Sequence, residues 1–185
     1  MRIISGDFKG KKITQPRDNL TRPLKDLTKE SIFNIIDHSK LLKINIKKSN
    51  ILDLFSGVGS FGLECISRGA ISVIFFENYK KTLTILKKNI SSLKCQNKTK
   101  IIENDIFAET NLINLKTKFE IIFIDAPYKE KKISILLEKI MHLNLLSDNG
   151  IIIIHRHKKE KEKFPEKFKI LIEKTYGISK IIFGN

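Results

Sequence analysis

The sequence predicts a doubly wound α/β domain on a mostly parallel seven-stranded sheet, finished by an antiparallel pair of strands. Three observations carry this. Residues 51–55, 73–76, 121–124 and 151–154 are short runs dominated by Ile, Val, Leu and Phe without polar alternation, as strands covered on both faces of a parallel sheet require. Segments with apolar residues at helical spacing separate them. The C-terminal stretch breaks that rhythm: residues 168–175 and 178–183, joined through Tyr176-Gly177, form two strands with a tight connection.

In chain order, residues 1–45 lie outside the α/β rhythm and residues 46–185 form the main domain. Residues 2–13 carry Gly6 and Gly10 and predict a small glycine-turned hairpin bearing Arg2, Lys9, Lys11 and Lys12, into which Ile3, Ile4 and Ile13 alternate. Thr21-Arg22-Pro23 then leads into a helix over 25–37 with Ile32, Phe33, Ile35 and Ile36 facing inward. After the first buried strand, the glycine loop opens a helix over 60–68 that uses Phe61, Leu63 and Ile66 and stops at Gly69. The second strand precedes a helix over 79–93 with Leu83, Leu86 and Ile90 inward and lysines between them. A weaker strand at 100–103, the strand ending at Ile124, a helix over 131–145 built on Ile135, Leu136, Ile140 and Leu143, and the strand at 151–154 follow. The mixed Lys/Glu run 158–163 predicts a solvated loop. Right-handed crossovers align the C-terminal ends of the parallel strands on one rim.

A chain of 185 residues suits one well-buried domain with a small appendage. Hydrophobic residues at 41% and charged ones at 30% exclude wholesale disorder. The net charge of +15 favours a polyanionic partner such as nucleic acid. Only five of the 35 cations are arginine, and a genome biased toward A and T would write the same lysine-rich composition. Placement is therefore more informative than the total. Arg2, Lys9, Lys11, Lys12, Arg17 and Arg22 cluster on the segment outside the main domain.

Cys65 and Cys95 have no second ligand at metal spacing and make no disulfide framework. His155-Arg156-His157 has no third ligand nearby in sequence and predicts a basic surface turn, so no metal is expected. His38 and His142 have no evident partner. With no apolar signal core after Met1 and no span of about 20 apolar residues, a cytoplasmic setting and no membrane partner are expected.

Two motifs point to chemistry. Gly57-x-Gly59-x-x-Gly62 follows a strand and opens a helix, the context in which glycines admit a ligand close to backbone N–H groups. Glu77, at the end of the next strand, is placed to accept hydrogen bonds from two ribose hydroxyls. Asp53 in the preceding strand would repel a dinucleotide pyrophosphate but attract an ammonium group, which favours S-adenosylmethionine over a nicotinamide dinucleotide. Phe55 lies beside this loop; Asn104 and Asp105 can read an adenine amino group, and Ile106 or Phe107 can pack on the ring. The alternative use of Asp53 and Glu77 is to cap the glycine turn and a helix. Asp125-Ala126-Pro127-Tyr128 closes the fourth strand. If Asp125 and a backbone carbonyl each accept one hydrogen of an exocyclic amino group, its delocalised lone pair is freed for attack on a methyl group, and Tyr128 can stack on the base.

On these residues the chain resembles the RsmD-type 16S ribosomal RNA guanine amino-methyltransferases, within the class I, Rossmann-like, S-adenosylmethionine-dependent methyltransferases. The likeness runs almost end to end: Arg2-Ile-Ile-Ser-Gly6, Lys9-Gly-Lys-Lys-Ile13, Thr21-Arg22-Pro23, Lys29-Glu30-Ser31-Ile-Phe-Asn34, and Asp53-Leu-Phe-Ser-Gly57-Val-Gly59-Ser-Phe-Gly62-Leu-Glu64. The resemblance implies methyl transfer to a guanine amino group in 16S rRNA or the small subunit. It also implies S-adenosylmethionine at Asp53, Phe55, Gly57, Gly59, Gly62, Glu77, Asn104, Asp105 and Ile106, catalysis at residues 125–128, and RNA contact through Arg2, Lys9, Lys11, Lys12 and Arg22 by a monomer. The family has Asp-Pro-Pro-Tyr or Phe where this chain has Ala126, which keeps the carbonyl and loses the proline constraint. An adenine amino-methyltransferase on DNA, or an RNA-binding assembly factor that keeps cofactor affinity, are the alternatives.

Overall fold

The computed structural model describes residues 1–16 and 24–185. Arg17 and the Thr21-Arg22-Pro23 segment lie outside the described residues.

Each continuous apolar run becomes a strand with both faces covered. The seven strands are β1 (Asn50–Leu54), β2 (Ser72–Phe76), β3 (Thr99–Ile102), β4 (Phe119–Ile124), β5 (Leu146–His157), β6 (Ile170–Tyr176) and β7 (Ser179–Gly184). They form one sheet in the order β3-β2-β1-β4-β5-β7-β6. The first five run parallel, and β7 pairs antiparallel with both β5 and β6.

Alternation along the strands sorts their side chains into two layers. Ile51, Val73, Phe75, Ile121, Phe123, Ile151 and Ile153 pack under α1 (Asp26–His38), α2 (Ser60–Ser67) and α3 (Lys80–Leu93). Leu52, Leu54, Ile122, Ile124, Ile152 and Ile154 face α4 (Glu109–Ile113) and α5 (Ile133–His142). Three rings tie α1 through α2 to the sheet: Phe33 stacks on Phe61 at 5.2 Å between centroids, and Phe61 on Phe123 at 4.0 Å.

The N-terminal segment folds back on itself through Gly6 and Gly10, both at positive φ. One antiparallel bridge, Arg2 to Lys12, closes a turn-rich loop. Backbone bonds cross between its arms, from Ile3 N to Lys11 O (2.9 Å), Gly10 N to Ile3 O (2.9 Å) and Ile13 N to Met1 O (3.1 Å), and others dock it on α2: the Glu64 carboxylate accepts from Ile4 N (2.8 Å) and Ser5 N (2.9 Å), and Ser67 Oγ accepts from Phe8 N (2.9 Å). Gly6 at φ +80° is what allows this approach, because a Cβ there would lie 1.8 Å from the Ser67 carbonyl oxygen. Ile3 and Ile13 are buried in the same apolar layer as α1 and α2.

Two expectations are corrected. Ile135 is 58% exposed, because α5 buries Ile133, Leu136, Leu137 and Ile140 and Ile135 falls on the opposite side of that stripe; Ile35 in α1 is only half-buried. β5 is 12 residues long, so His155-Arg156-His157 is no surface turn. These residues continue the strand because β7 pairs with them, His155 opposite Ile181 and His157 opposite Ser179.

Candidate active site

The chain order reverses between β1 and β4, which are hydrogen-bonded neighbours; a crevice outside the carboxyl ends of the strands forms at such a point. Asp53, Glu77 and Asp125 reach it from β1, the end of β2 and the end of β4.

Asp53 is 1% exposed and accepts a hydrogen bond from Gly62 N at 2.9 Å. Burial holds its carboxyl well above the usual carboxylate range; the Gly62 N–H opposes this, and the charges of Asp125 and Glu77 add to it. Glu77 binds the loop from the other side. One oxygen accepts from Gly57 N (2.7 Å), and the other from Asn78 N (2.9 Å) and Tyr79 N (2.8 Å), the N-cap residue just before α3. The capping alternative assigns the glycine turn to Asp53 and a helix to Glu77; here Asp53 bonds the first turn of α2, and Glu77 bonds the glycine turn and the residue before α3. Capping and ligand binding use the same oxygens' remaining lone pairs, so the two roles are compatible.

Gly59 is left-handed (φ 82°) at the N-terminus of α2, and Gly62 is where α2 presses on β2. A Cβ on Gly62 would sit 2.4 Å from Phe75 Cε1 and 2.8 Å from Val73 Cγ1. Gly62→Ala is expected to destabilise the fold by about 1–3 kcal/mol through overpacking, read as a lower urea midpoint at unchanged slope; an unchanged midpoint would contradict that packing.

Phe55, Phe76, Glu77, Asn78, Asn104 and Ile106 line a concavity beside the glycine loop. Of the expected cofactor residues, Phe55, Glu77, Asn104 and Ile106 meet there. Asp105 does not line it: its carboxylate closes a local turn by accepting from Phe107 N at 3.0 Å. Phe76 and Asn78 are additions, flanking Glu77 in sequence.

Across the rim, Asp125 Oδ1 lies 2.8 Å from His155 Nδ1, and His155 Nε2 lies 2.9 Å from Ser179 Oγ. Ala126 is buried and Pro127 exposed. The Tyr128 ring meets His157 and His155 edge-on, with centroids 5.2 and 6.2 Å away. Arg156, 1% exposed, passes beneath the loop. Its guanidinium donates to the carbonyls of Ala126 (3.3 Å), Pro127 (2.8 Å), Tyr128 (3.1 Å) and Glu130 (2.8 Å), and its Nε to Glu162.

With this geometry in place, comparison with known proteins is decisive. The family model described as Conserved hypothetical protein 95 matches residues 1–185. The protein named Ribosomal RNA small subunit methyltransferase D of Haemophilus influenzae is 34% identical, covering 96% of this chain and 90% of its own. The chain belongs to the small subunit methyltransferase D family. The protein of the same name from Escherichia coli is 33% identical over 81% of this chain and 68% of its own. The solved structure of Escherichia coli yhhF, 22% identical, superposes with a TM-score of 0.80 over 100% of this chain and 96% of its own, and shares the fold.

For a methyltransferase D family member, Ala126 stands where the resemblance expects proline. Arg156 explains how the loop tolerates it: the constraint that a proline ring would impose on one φ is supplied by four carbonyl contacts from one guanidinium. His155, Arg156 and Ser179 were missed in the sequence as site residues. The only signal was that a run of four isoleucines continues directly into His-Arg-His with no turn residue between.

Proposed function

We propose that the chain transfers a methyl group from S-adenosylmethionine to the exocyclic amino group of a guanine in small-subunit rRNA, acting as a cytoplasmic monomer. The observation that carries this is the convergence of Asp53, Glu77 and Asp125 on one rim, with a partly aromatic concavity on one side and a Tyr-bearing loop on the other. The charges of Asp125 and Glu77 add to what burial costs the ionised form of Asp53, and a ligand with cationic character relieves it. The methyltransferase names of the relatives support the same reading.

S-adenosylmethionine fits the residues present. Asp53 would hold its ammonium end, Glu77 its ribose, and Phe55, Asn104 and Ile106 its adenine, while the molecule supplies an electrophilic methyl on a sulfonium. Asp125 and the Ala126 carbonyl, whose second lone pair is left by the long Arg156 contact, accept the two amino hydrogens. This draws the nitrogen lone pair out of conjugation. The bound cofactor would supply the methyl group to that nitrogen, and Asp125 or water would take up the proton the nitrogen then loses. Tyr128 stacks on the base. Residues 1–45 act as the RNA-contacting extension; Arg2, Lys9, Lys11 and Lys12 are all exposed.

Among the described residues no helix is long and apolar enough to cross a membrane. The test is transfer of labelled methyl to small subunits lacking the modification, with mass spectrometry of the nucleosides. N2-methylguanosine is the expected product; methyladenosine, or no transfer with normal cofactor binding, refutes the assignment.

Asp53 gives this site a pH signature. Its carboxyl is raised by burial first, so the free protein keeps that proton to higher pH than an ordinary carboxylate would. Pairing with an ammonium group requires the ionised form, so binding releases a proton, and affinity rises with pH through the titration of Asp53 and levels off above it. Calorimetry in buffers of different ionisation enthalpy should show this release in the parent protein, and Asp53→Asn should lose both the release and the pH slope.

A further inference from the structure

We propose that His155 and Ser179 form a positioning relay behind Asp125 that fixes which carboxylate oxygen faces the substrate. The inference rests on the function proposed above and extends it to two residues on β5 and β7. His155 is 7% exposed and Ser179 6% exposed. Both imidazole nitrogens are engaged, Nδ1 with Asp125 Oδ1 at 2.8 Å and Nε2 with Ser179 Oγ at 2.9 Å.

The chemistry of the three groups selects one arrangement. An ionised carboxylate can only accept, so Nδ1 carries the hydrogen and donates to Asp125. In the neutral imidazole Nε2 is then the acceptor, and the Ser179 hydroxyl donates to it, which locks that tautomer. Asp125 Oδ1 is thereby occupied, and Oδ2 is left for the amino hydrogen. The relay is held on two sides: Ser179 is the first residue of β7, and the edge of the Tyr128 ring stands over His155. A carboxylate free to rotate would offer either oxygen. One pinned by a buried histidine offers one, at one angle, which is what alignment with a methyl group demands.

Two measurements test this. In the free protein, long-range 15N–1H spectra of the histidine rings should show a hydrogen on Nδ1 of His155. Ser179→Ala should weaken that preference. A neutral ring with hydrogen on Nε2 overturns the relay irrespective of any activity. In the methyl-transfer assay, His155→Leu is expected to lower kcat by about 10- to 100-fold, the loss seen when a group that orients a metal-ligating side chain is removed, with KM for the ribosomal substrate and the Kd for S-adenosylmethionine unchanged. His155→Asn, whose amide N–H can occupy the place of Nδ1–H, should recover most of the loss. A folded His155→Leu protein with the parent kcat overturns the relay while leaving the proposed function standing. Absence of methyl transfer by the parent protein, with the Nδ1 hydrogen observed, overturns the function and leaves the hydrogen-bonded arrangement standing.

Discussion

Asp125→Ala is expected to reduce methyl transfer by at least about 100-fold, the lower end for a positioned group that handles a reacting proton, while leaving S-adenosylmethionine affinity within a few-fold. Asp125 directly follows β4, its backbone N–H donating to the Leu54 carbonyl at 3.3 Å, so removing the side chain leaves the β1/β4 backbone intact. Asp125→Asn separates two contributions. The amide keeps one acceptor oxygen but carries no charge, and it presents a donor either to the base or to His155 Nδ1. A loss as deep as that of Ala assigns the effect to charge; an intermediate loss assigns it to geometry. Single-turnover assays on undermodified small subunits measure the rate, and parent-level activity in both variants would remove Asp125 from the mechanism.

Glu64→Ala is expected to give the largest loss of stability, about 3–5 kcal/mol, the range for breaking a buried ion pair from one side. Glu64 and Lys29 side chains are both 0% exposed, with Lys29 Nζ 3.5 Å from one carboxylate oxygen and Arg68 Nε 3.0 Å from the other. The same carboxylate accepts the N–H groups of Ile4 and Ser5. Burial already holds the Lys29 ammonium below its ordinary range, opposed first by Glu64 and then by Asp26. Without Glu64, Lys29 keeps its bond to the Arg2 carbonyl at 2.8 Å and a 3.9 Å approach to the half-exposed Asp26, too little for a buried cation. Urea unfolding measures the loss. Limited proteolysis should also show residues 1–16 released, since their docking depends on this carboxylate; a variant with parent stability and a protected N-terminus would refute it. If Arg2, Lys9, Lys11 and Lys12 contact RNA as proposed, their release from α2 should lower RNA affinity and flatten its salt dependence.

Asn89 shows a second tie of the same kind. It accepts from Thr14 N at 2.9 Å and donates to the carbonyls of Thr14 and Val58, joining the N-terminal segment, α3 and the glycine loop. Nothing in the sequence distinguishes Asn89 or Glu64 from surface residues on amphipathic helices. Their partners lie 75 and about 60 positions away, and only the packing of α2 and α3 on one face of the sheet brings them together.

The sequence by itself determined the parallel core, the antiparallel finish and the positions of both motifs. Hydrophobic period and length are local properties, and strands buried on both faces have to be written as runs such as residues 121–124 and 151–154. It also placed Asp53, Glu77 and Asp125 at strand ends, because an apolar run that contains or ends at an acid, before a glycine loop for Asp53, a proline turn for Asp125 and a helical pattern for Glu77, is legible within a dozen residues. Only the tertiary structure decided what those carboxylates touch. His155 and Arg156 read as a basic turn until β7 paired with β5, since a strand that continues through polar residues is recognisable only by its neighbour. Likewise the turn of residues 2–13 is legible from its glycines, but its docking is not: Ile4, Ser5 and Phe8 donate to Glu64 and Ser67 of α2, about 60 positions away. Long-range hydrogen bonds from buried polar side chains have no period in the chain, and the relay behind Asp125 and the guanidinium beneath Ala126 are both made of them.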